Sequence, residues 1–461
     1  MKLLVIGGGP GGYVAAIRGA QLGADVTLVE SEHIGGTCLN VGCIPTKALL
    51  HTAELYESAG HSGAYGVTAT PSLDWGVAQT HKQDIVNQLV RGVEGLLKVN
   101  KVRVVRAPAV FTGPTTVMAG DEKITFDKVI IATGSIPSTP PIPGVDGPQC
   151  MDSTGALALE SIPATLVIVG GGVIGVELAT VYQRLGCQVT IIEMMDEILP
   201  LLDKEMAGLL HAELVKQGVT IMNGAKVLEI EDCGDTAVVH AVIGDENKDV
   251  RAAKVLIAIG RRANTAGLGL ETIGVKMDRG CVVVDSSQRT NVPGVFAIGD
   301  CTGGVMLAHV ASAQGEVAAE VAMGEDAHYD GRTNPSCVYT SPELACVGLT
   351  EAQARDQYGD CVIGRFPLSA NGKSLIEGED GLVKIIAEPK YGEILGLAIL
   401  GPRATDLIAE GALAIGTEST LDEIVATIHA HPTVAESIRE AALVAQGRAI
   451  HVPNRRVAAT T

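Results

Sequence analysis

The sequence predicts an α/β protein with two Rossmann-like dinucleotide-binding domains and a C-terminal α+β domain. Two glycine-rich strand–turn–helix–strand patterns, at 2–30 and 166–193, predict the two nucleotide-binding domains. The segment after residue 334 lacks such a loop, and its runs VKIIAE and EILGLAIL, joined by a PKYG turn, predict antiparallel strands. With 461 residues, 46% hydrophobic and 19% charged, the chain is long enough to form several folded domains.

The first pattern reads KLLVIGGGPGGYVAAIRGAQLGADVTLVE and forms one complete βαβ unit. Gly7, Gly9 and Gly12 have the G-x-G-x-x-G spacing, which allows a sharp turn, brings backbone N–H groups against a pyrophosphate and lets helix pack on strand. Glu30 ends the second strand, where a carboxylate accepts hydrogen bonds from ribose hydroxyls. The pattern therefore predicts a dinucleotide site.

The second pattern reads LVIVGGGVIGVELATVYQRLGCQVTIIE and repeats the first, with Gly170, Gly172, Gly175 and a terminal acid, Glu193. A carboxylate at this strand end favours a free 2′-hydroxyl and repels a 2′-phosphate. No arginine follows in EMMDEI. The second site is therefore predicted to bind NAD rather than NADP.

The segments between and after these patterns predict the domain boundaries. DKVIIATGSIPSTPPIPG (127–144) reads as a buried strand followed by a proline-rich crossover, which indicates a boundary near residue 145. KVLIAIGRRANT (254–265) closes the second nucleotide domain, and the segment 290–320 places Asp300 at a strand end before a long helix. The predicted domains are the first nucleotide domain (1–145), the second (146–264), a return to the first (265–333) and the C-terminal domain (334–461).

Cys38 and Cys43 form a CxxxxC pair in GGTCLNVGCIPTKALL, shortly after the first glycine loop. A thiol pair beside a nucleotide site that accepts two electrons predicts redox chemistry. Metal binding is the weaker alternative, because the spacing is not C-x-x-C and no second Cys/His pair lies close by in the sequence. The other eight cysteines are scattered and predict small apolar core residues rather than a disulfide framework.

Charge and hydropathy exclude several partners. The formal net charge of −19 disfavours nucleic acid and an anionic membrane surface as ligands. The start of the chain does not have the pattern of a signal peptide, and no run of about 18 apolar residues predicts a membrane span. A cytoplasmic location is the expectation.

Four segments together resemble the flavoprotein disulfide reductases: GGTCLNVGCIPTKALLH, the ATG segment, VFAIGDC and HAHPTVAES (429–437). Within that family they resemble the dihydrolipoamide dehydrogenases, the E3 component of 2-oxo acid and acetoin dehydrogenase complexes. The match runs the length of the chain in the family's order. The resemblance implies oxidation of dihydrolipoyl groups to lipoyl groups, with NAD reduced through a Cys38–Cys43 disulfide and FAD.

The resemblance also implies one non-covalent FAD per subunit at the first loop and NAD at the second. Implied FAD contacts are Gly7, Gly9, Gly12, Glu30, Gly36, Thr37, Lys47, Gly113, Thr133, Gly134, Asp300 and Ala308. Implied NAD contacts are Gly170, Gly172, Gly175, Glu193, Val227 and Gly260. Asp300 would bind the ribityl chain, and Lys47 would lie beside the flavin ring and pair with Glu177. A solvated Lys47 and a purely structural ion pair for Glu177 remain alternatives.

Thiol–disulfide exchange requires a thiolate, yet a free thiol has a pKa of about 8.5, so a base near the substrate raises the rate. His431 is the candidate base, and Glu436 could hydrogen-bond its other ring nitrogen and fix the tautomer. His429 is expected to be structural. By resemblance, Cys38 meets the substrate and Cys43 faces the flavin.

The resemblance implies specific partners. The His–Glu pair of each active site would come from the other subunit, so that a homodimer is required. The lipoyl group would be carried by another polypeptide, on lipoyl domains of the E2 acyltransferase within the complex, because the flavin strand begins at the start of this chain.

Several alternative functions stay open. Glutathione and trypanothione reductases share the cysteines and the HPT motif but use NADPH, which Glu193 disfavours. Mercuric reductases carry a further cysteine pair near the C-terminus, and the tail after Cys361 has none. Soluble transhydrogenases of the superfamily lack the disulfide. A non-catalytic, flavin-bearing subunit of a larger complex is disfavoured by the intact cysteines, His431 and Glu436.

Overall fold

A computed structural model of the chain describes residues 1–454, which divide into two compact units. Unit 1 contains Met1–Pro140, Met151–Ser161 and Ile259–Asp330. Unit 2 contains Pro141–Cys150, Ile162–Ala258 and the residues from Gly331 onward. Each unit is therefore assembled from segments that are separate in the sequence.

The α-helices are α1 Pro10–Gln21, α2 Gly36–Val41, α3 Cys43–His61, α4 Trp75–Val99, α5 Ser153–Leu157, α6 Val173–Arg184, α7 Lys204–Lys216, α8 Ala308–Met323, α9 Glu351–Tyr358, α10 Gly372–Glu377, α11 Ala404–Gly416, α12 Leu421–Ala426 and α13 Glu436–Ala445. Short 3₁₀ helices span Ser62–Tyr65, Leu270–Ile273, Gly299–Thr302, Gly331–Thr333 and Leu368–Ala370.

The β-strands are β1 Lys2–Ile6, β2 Asp25–Glu30, β3 Arg103–Arg106, β4 Ala109–Gly113, β5 Thr116–Ala119, β6 Glu122–Thr125, β7 Lys128–Ile131, β8 Ser135–Pro137, β9 Cys150–Met151, β10 Thr165–Val169, β11 Gln188–Ile192, β12 Thr220–Met222, β13 Ala225–Asp232, β14 Ala237–Ile243, β15 Glu246–Ala252, β16 Lys254–Ile257, β17 Arg261–Ala263, β18 Met277–Asp278, β19 Cys281–Val282, β20 Val295–Ala297, β21 Ser336–Val338, β22 Glu343–Gly348, β23 Val362–Pro367, β24 Leu382–Ala387 and β25 Ile394–Gly401.

Unit 1 is built on a parallel sheet in the order β20-β7-β1-β2-β3. The central strand β1 is buried on both faces, as expected for a parallel sheet covered on two sides. Leu3 and Val5 join a core cluster with helices α1 and α8, whereas Leu4 and Ile6 join a second cluster with the antiparallel sheet β4-β5-β6. The alternation of side chains along β1 therefore separates the two layers.

Unit 2 contains a second parallel sheet in which β12, β11, β10 and β16 are neighbours in that order. The antiparallel sheet β13-β14-β15 packs against it, with Val167 and Val239 in one core cluster. This arrangement repeats that of unit 1, so the two halves share one nucleotide-binding plan.

The C-terminal part of unit 2 is an antiparallel sheet in the order β21-β22-β25-β24-β23. Helices α11 and α13 contribute Ile408 and Ile438 to the core formed with Ile385 and Leu397 of the sheet. Helices α11 and α12 are separate, because Glu418 between them adopts φ +53° and Thr420 forms a capping box with Glu423.

The predicted fold class is confirmed, with two nucleotide-binding α/β sheets and a C-terminal α+β segment. The units group the second parallel sheet with the C-terminal sheet, and the finer four-domain division remains a prediction. Across residues 1–454, none of the helices has both the length and the apolar character required to cross a bilayer.

Candidate active site

The first glycine loop connects β1 to α1 and leaves an anion-binding helix end. Gly7 adopts φ +106°, and a Cβ at Gly12 would lie 1.8 Å from the Gly7 carbonyl oxygen, so neither position accepts a side chain. Helix α1 begins at Pro10 with Gly9 as its N-cap and without a side-chain capping bond. Its first backbone amides are therefore available to a pyrophosphate, which fits a dinucleotide.

Glu30 is buried at the end of β2 and holds this loop. Its carboxylate accepts a hydrogen bond from the Gly8 amide at 2.5 Å and another from the Glu32 amide at 2.7 Å. The sequence predicts that Glu30 contacts a ribose. Each carboxylate oxygen of Glu30 retains a lone pair that can accept a hydrogen bond from a ribose hydroxyl. The acid therefore also fixes the loop, a role that the motif alone does not reveal.

The second glycine loop has the same construction in unit 2. Gly170 adopts φ +111°, and a Cβ at Gly175 would lie 2.1 Å from the Gly170 carbonyl oxygen, whereas Gly172 faces open space. Helix α6 also begins without a side-chain cap. Glu193 accepts hydrogen bonds from the Gly171 amide at 2.6 Å and the Met195 amide at 2.8 Å. The carboxylate and the uncapped helix end fit NAD.

Of the cysteine pair, Cys38 lies in helix α2 and Cys43 is the first residue of α3. A Cβ at Gly36 would lie 2.6 Å from the Gly9 Cα, so the start of α2 sits directly against the first glycine loop. Cys38 is half-buried and Cys43 is exposed, and both are free thiols in the structure. A hydrogen bond with Cys43, followed by burial, raises the pKa of Cys38.

Asp300 is linked to a polar network within unit 1. Its carboxylate accepts a hydrogen bond from the Ser135 hydroxyl at 2.5 Å. Arg261 donates to the Ser135 hydroxyl and to the Ser135 carbonyl oxygen, both at 2.7 Å, and to the Thr37 hydroxyl at 3.4 Å. Arg261 and Ser135 were missed as site residues, although the segment GRRANT carries a polar signal directly after a buried strand.

The other predicted FAD residues lie at ends of elements of unit 1. Thr133 and Gly134 follow β7, and the Asn264 amide donates to the Gly134 carbonyl oxygen at 2.9 Å. Gly113 ends β4, Ala308 begins α8, and Lys47 lies in α3, where its charge lowers the pKa of Cys38. Their contacts with FAD remain predictions.

The remaining predicted NAD residues differ in their surroundings. Val227 is buried in β13 within the core of unit 2, next to a register shift. Gly260 adopts φ +112° before β17 and falls in unit 1. Glu177 is buried in α6 and accepts a hydrogen bond from the Tyr339 amide at 3.0 Å. The pairing of Glu177 with Lys47 remains a prediction.

The predicted base and its orienting acid are in contact in unit 2. The His431 Nδ1 and Glu436 Oε1 atoms lie 3.0 Å apart, and the His431 side chain is 80% exposed. Burial raises the pKa of Glu436, but hydrogen bonds from the Thr433 amide and from His431 outweigh it, so the pKa lies below its usual value. The Glu436 carboxylate is thereby held beside one ring nitrogen of His431, and the other ring nitrogen is left accessible.

His429 differs from His431 although the two are separated by one residue. Its side chain is 6% exposed, and its Nε2 atom lies 2.8 Å from Glu410 Oε1. The bond with this carboxylate raises the pKa of His429. The buried ion pair is consistent with the structural role expected for His429.

The fold and these groups define a dithiol–disulfide oxidoreductase with two dinucleotide sites. The pyridine nucleotide-disulphide oxidoreductase family matches residues 1–315, and the dimerisation domain of that family matches residues 334–442. The chain therefore belongs to the pyridine nucleotide-disulphide oxidoreductase family. It is an oxidoreductase whose cofactors are FAD and NAD, and its dimerisation domain supports a homodimer.

Curated relatives and solved structures agree with this assignment. Two proteins of Bacillus subtilis named dihydrolipoyl dehydrogenase are 43% and 47% identical to the chain, covering 98% and 97% of it and 100% and 97% of their own lengths. The crystal structure of LpdA from Mycobacterium tuberculosis has a TM-score of 0.89 at 28% identity and covers 96% of this chain and 99% of its own. The HOCl-induced flavoprotein disulfide reductase RclA of Escherichia coli has a TM-score of 0.86 at 29% identity, with 95% and 98% coverage.

Proposed function

We propose that this chain is a dihydrolipoyl dehydrogenase, which oxidises dihydrolipoyl groups to lipoyl groups and reduces NAD. The observation that carries the proposal is the near full-length identity of 42–47% to several proteins of that name. The cysteine pair beside the first glycine loop supplies the chemistry that such an activity requires.

Cys38 and Cys43 exchange two electrons with the substrate dithiol. In the oxidised enzyme they form a disulfide, and a substrate thiolate attacks the Cys38 sulfur, which forms a mixed disulfide and releases Cys43 as a thiolate. The second substrate sulfur then attacks the mixed disulfide, releasing Cys38. The substrate leaves as a disulfide, and the enzyme retains two electrons in the pair.

His431 manages the protons of these two steps. Its exposed ring nitrogen takes a proton from the first substrate thiol and returns it to Cys38 when that sulfur is released, while the second substrate proton leaves to solvent. Glu436, ionised because its pKa is lowered, stabilises the imidazolium that forms in between. The His–Glu pair acts on the cysteines of the partner subunit.

The two nucleotide loops serve the electron-accepting half of the reaction. The first loop would hold FAD, which would supply a two-electron acceptor for the dithiol, and the second loop would hold NAD, which would supply a hydride acceptor. The residues of the chain hold each pyrophosphate at a helix N-terminus, and Glu30 and Glu193 bind the ribose hydroxyls.

The lipoyl group is proposed to arrive on lipoyl domains of the acyltransferase component of a multienzyme complex. The ten cysteines are scattered along the sequence rather than arranged as a disulfide framework, which is typical of a reducing compartment, so the cytoplasm is the proposed location.

The test is the rate of NAD reduction by dihydrolipoamide, measured beside NADP and beside glutathione disulfide with NADPH. Fast, NAD-selective turnover supports the proposal. Reduction of glutathione disulfide without oxidation of dihydrolipoamide would instead assign the chain to a sister disulfide reductase.

Two cysteine variants separate chemistry from folding. Cys43→Ser is expected to abolish dihydrolipoamide oxidation while FAD stays bound, because the loop and helix α1 are unchanged. Cys233→Ser, at another exposed cysteine, is the matched control and should retain full activity. Residual turnover in Cys43→Ser above one hundredth of the parent rate would contradict the proposed exchange.

A further inference from the structure

Arg261 is held by its neighbours in a fixed position on the network around Asp300. Strands β8 and β17 pair antiparallel, with Arg261 opposite Pro137 and Ala263 opposite Ser135. This register lets the guanidinium donate from Nε and from one terminal nitrogen to the two oxygens of a single residue, Ser135. Two bonds from a planar group to one residue fix its orientation.

The bond from Arg261 also decides what the Ser135 hydroxyl does. A serine hydroxyl has one proton and two lone pairs. Because Arg261 Nε donates to the oxygen, the single proton is directed to the Asp300 carboxylate, 2.5 Å away. One Asp300 oxygen thereby accepts this hydrogen bond. Arg261 sets the orientation of the carboxylate through Ser135, without contacting Asp300 itself.

The same guanidinium reaches the redox helix. The terminal nitrogen that donates to the Ser135 carbonyl oxygen, Nη2, also donates to the hydroxyl of Thr37 in α2, at 3.4 Å, and Thr37 is one residue before Cys38. Arg261 therefore joins the Asp300 network to the segment that carries the cysteine pair.

The charge of Arg261 is not neutralised by a direct ion pair. In residues 1–454, no carboxylate forms a salt bridge with it, and burial lowers its pKa while the charges of Asp300, Cys43 and Asp152 raise it. Charged or titratable groups of unit 1 that interact with the cysteine pair include Lys47 of α3, Arg261 of β17 and Tyr13 of α1. Through its bond to Thr37, Arg261 places a half-buried positive charge at the helix that carries Cys38, and this charge also interacts with Cys43.

We propose that Arg261 is a positioning residue for the electron-accepting site, which orients Asp300 through Ser135 and stabilises the thiolate of Cys43. The inference rests on the proposed function only in taking Asp300 as a ligand of FAD and Cys43 as the thiolate beside it. Removing the side chain loses both effects, whereas removing the Ser135 hydroxyl loses only the first.

The experiment measures the pH dependence of Cys43 alkylation by iodoacetamide in the Cys38→Ser protein, with the modified cysteine identified by mass spectrometry. Arg261→Met is expected to raise the midpoint by about 1 pH unit and to slow alkylation at neutral pH about tenfold, because an opposite charge nearby favours the thiolate. Alkylation of the exposed Cys233 in the same sample is the internal control and should not change.

Two further variants keep the inference testable if Arg261→Met folds poorly. Arg261→Lys keeps the charge and should leave the Cys43 midpoint within a few tenths of a unit. Ser135→Ala should also leave that midpoint unchanged but weaken FAD binding by about three- to tenfold, as measured from flavin fluorescence on dilution, because one hydrogen bond to the Asp300 network is lost.

An unchanged midpoint in folded Arg261→Met, an equal shift at Cys233, or a Cys43 shift in Ser135→Ala would each overturn the inference. None of these measurements uses dihydrolipoamide or NAD. Failure of the inference is therefore distinguishable from failure of the proposed activity.

Discussion

Replacing Lys384 with methionine would remove the central charge of a buried ionic network in unit 2. The Lys384 side chain is 2% exposed, and its ammonium nitrogen lies 3.0 Å from Asp203, 2.9 Å from Glu205 and 2.7 Å from Glu351. Arg365, opposite Lys384 in the β23–β24 pair, also contacts Glu205 and Glu351. Methionine keeps most of the apolar stem and removes only the charge and its hydrogen bonds.

The loss of stability depends on which partners the three acids keep after Lys384 is replaced. Glu205 and Glu351 keep Arg365, whereas Asp203 is left with backbone amide donors at the start of α7 and α9. Breaking a buried ion pair by removing one partner costs about 3–5 kcal/mol. Because two of the three acids retain a partner, we expect the lower end, about 3 kcal/mol. For a chain of 461 residues, this lowers the melting temperature by about 3 °C.

Calorimetric melting of the FAD-bound dimer, at one protein concentration, measures this effect. The matched control is Lys216→Met in helix α7, where the lysine is 76% exposed and pairs with Glu213 at 3.2 Å. An exposed pair contributes about 0–1 kcal/mol, so this variant should melt close to the parent. A fall in melting temperature for Lys384→Met no larger than that of the control would refute the reasoning.

The same network predicts a pH dependence. Burial raises the pKa of Glu351, but hydrogen bonds from Lys384 and Arg355 outweigh it and hold the pKa at about 2. A carboxyl whose folded pKa lies below its unfolded value of about 4.3 stabilises the fold above that pH and loses its contribution as the pH falls toward 2. The difference in melting temperature between parent and Lys384→Met should therefore shrink from pH 7 to pH 3, and a constant difference would contradict this account.

Two further changes test the site itself. Glu436→Gln should lower kcat for dihydrolipoamide oxidation about 100-fold at unchanged FAD content, because an amide cannot stabilise a charged His431; a rate within threefold of the parent would remove Glu436 from the mechanism. Gly12→Ala places a Cβ 1.8 Å from the Gly7 carbonyl oxygen, so the purified protein should contain little FAD. Gly92→Ala, in open space on α4, is the control and should bind FAD fully, and full flavin content in Gly12→Ala would show that the loop tolerates a side chain.

Much of the nucleotide-binding architecture was predictable because its determinants are local. The glycines, the uncapped helix ends and the acid at the end of the second strand lie within about thirty residues of one another, and backbone sterics restrict which residues such a turn accepts. The contact between His431 and Glu436 was likewise suggested by two residues five positions apart. In each case a short segment contains both partners.

Other features depended on long-range pairing. Arg261 and Ser135 are 126 positions apart, and Lys384 and Asp203 are 181 apart. A single arginine after a strand, or a lysine inside one, does not indicate its partner, because the partner is chosen by the register of strands that meet only in the folded chain. From the sequence, a lysine at position 384 would even argue against a buried position in a strand, since lysine is rarely buried without a compensating charge.

The sequence by itself therefore determined the fold class and the two dinucleotide loops, because each is specified by backbone geometry and chemistry within a short segment. The roles of the cysteine pair and of the His–Glu pair are predictions that depend on the resemblance to a family. The tertiary structure decided the Arg261–Ser135–Asp300 chain and the network around Lys384. These depend on distances between distant segments, and such distances are set by strand register and core packing, which no local pattern specifies.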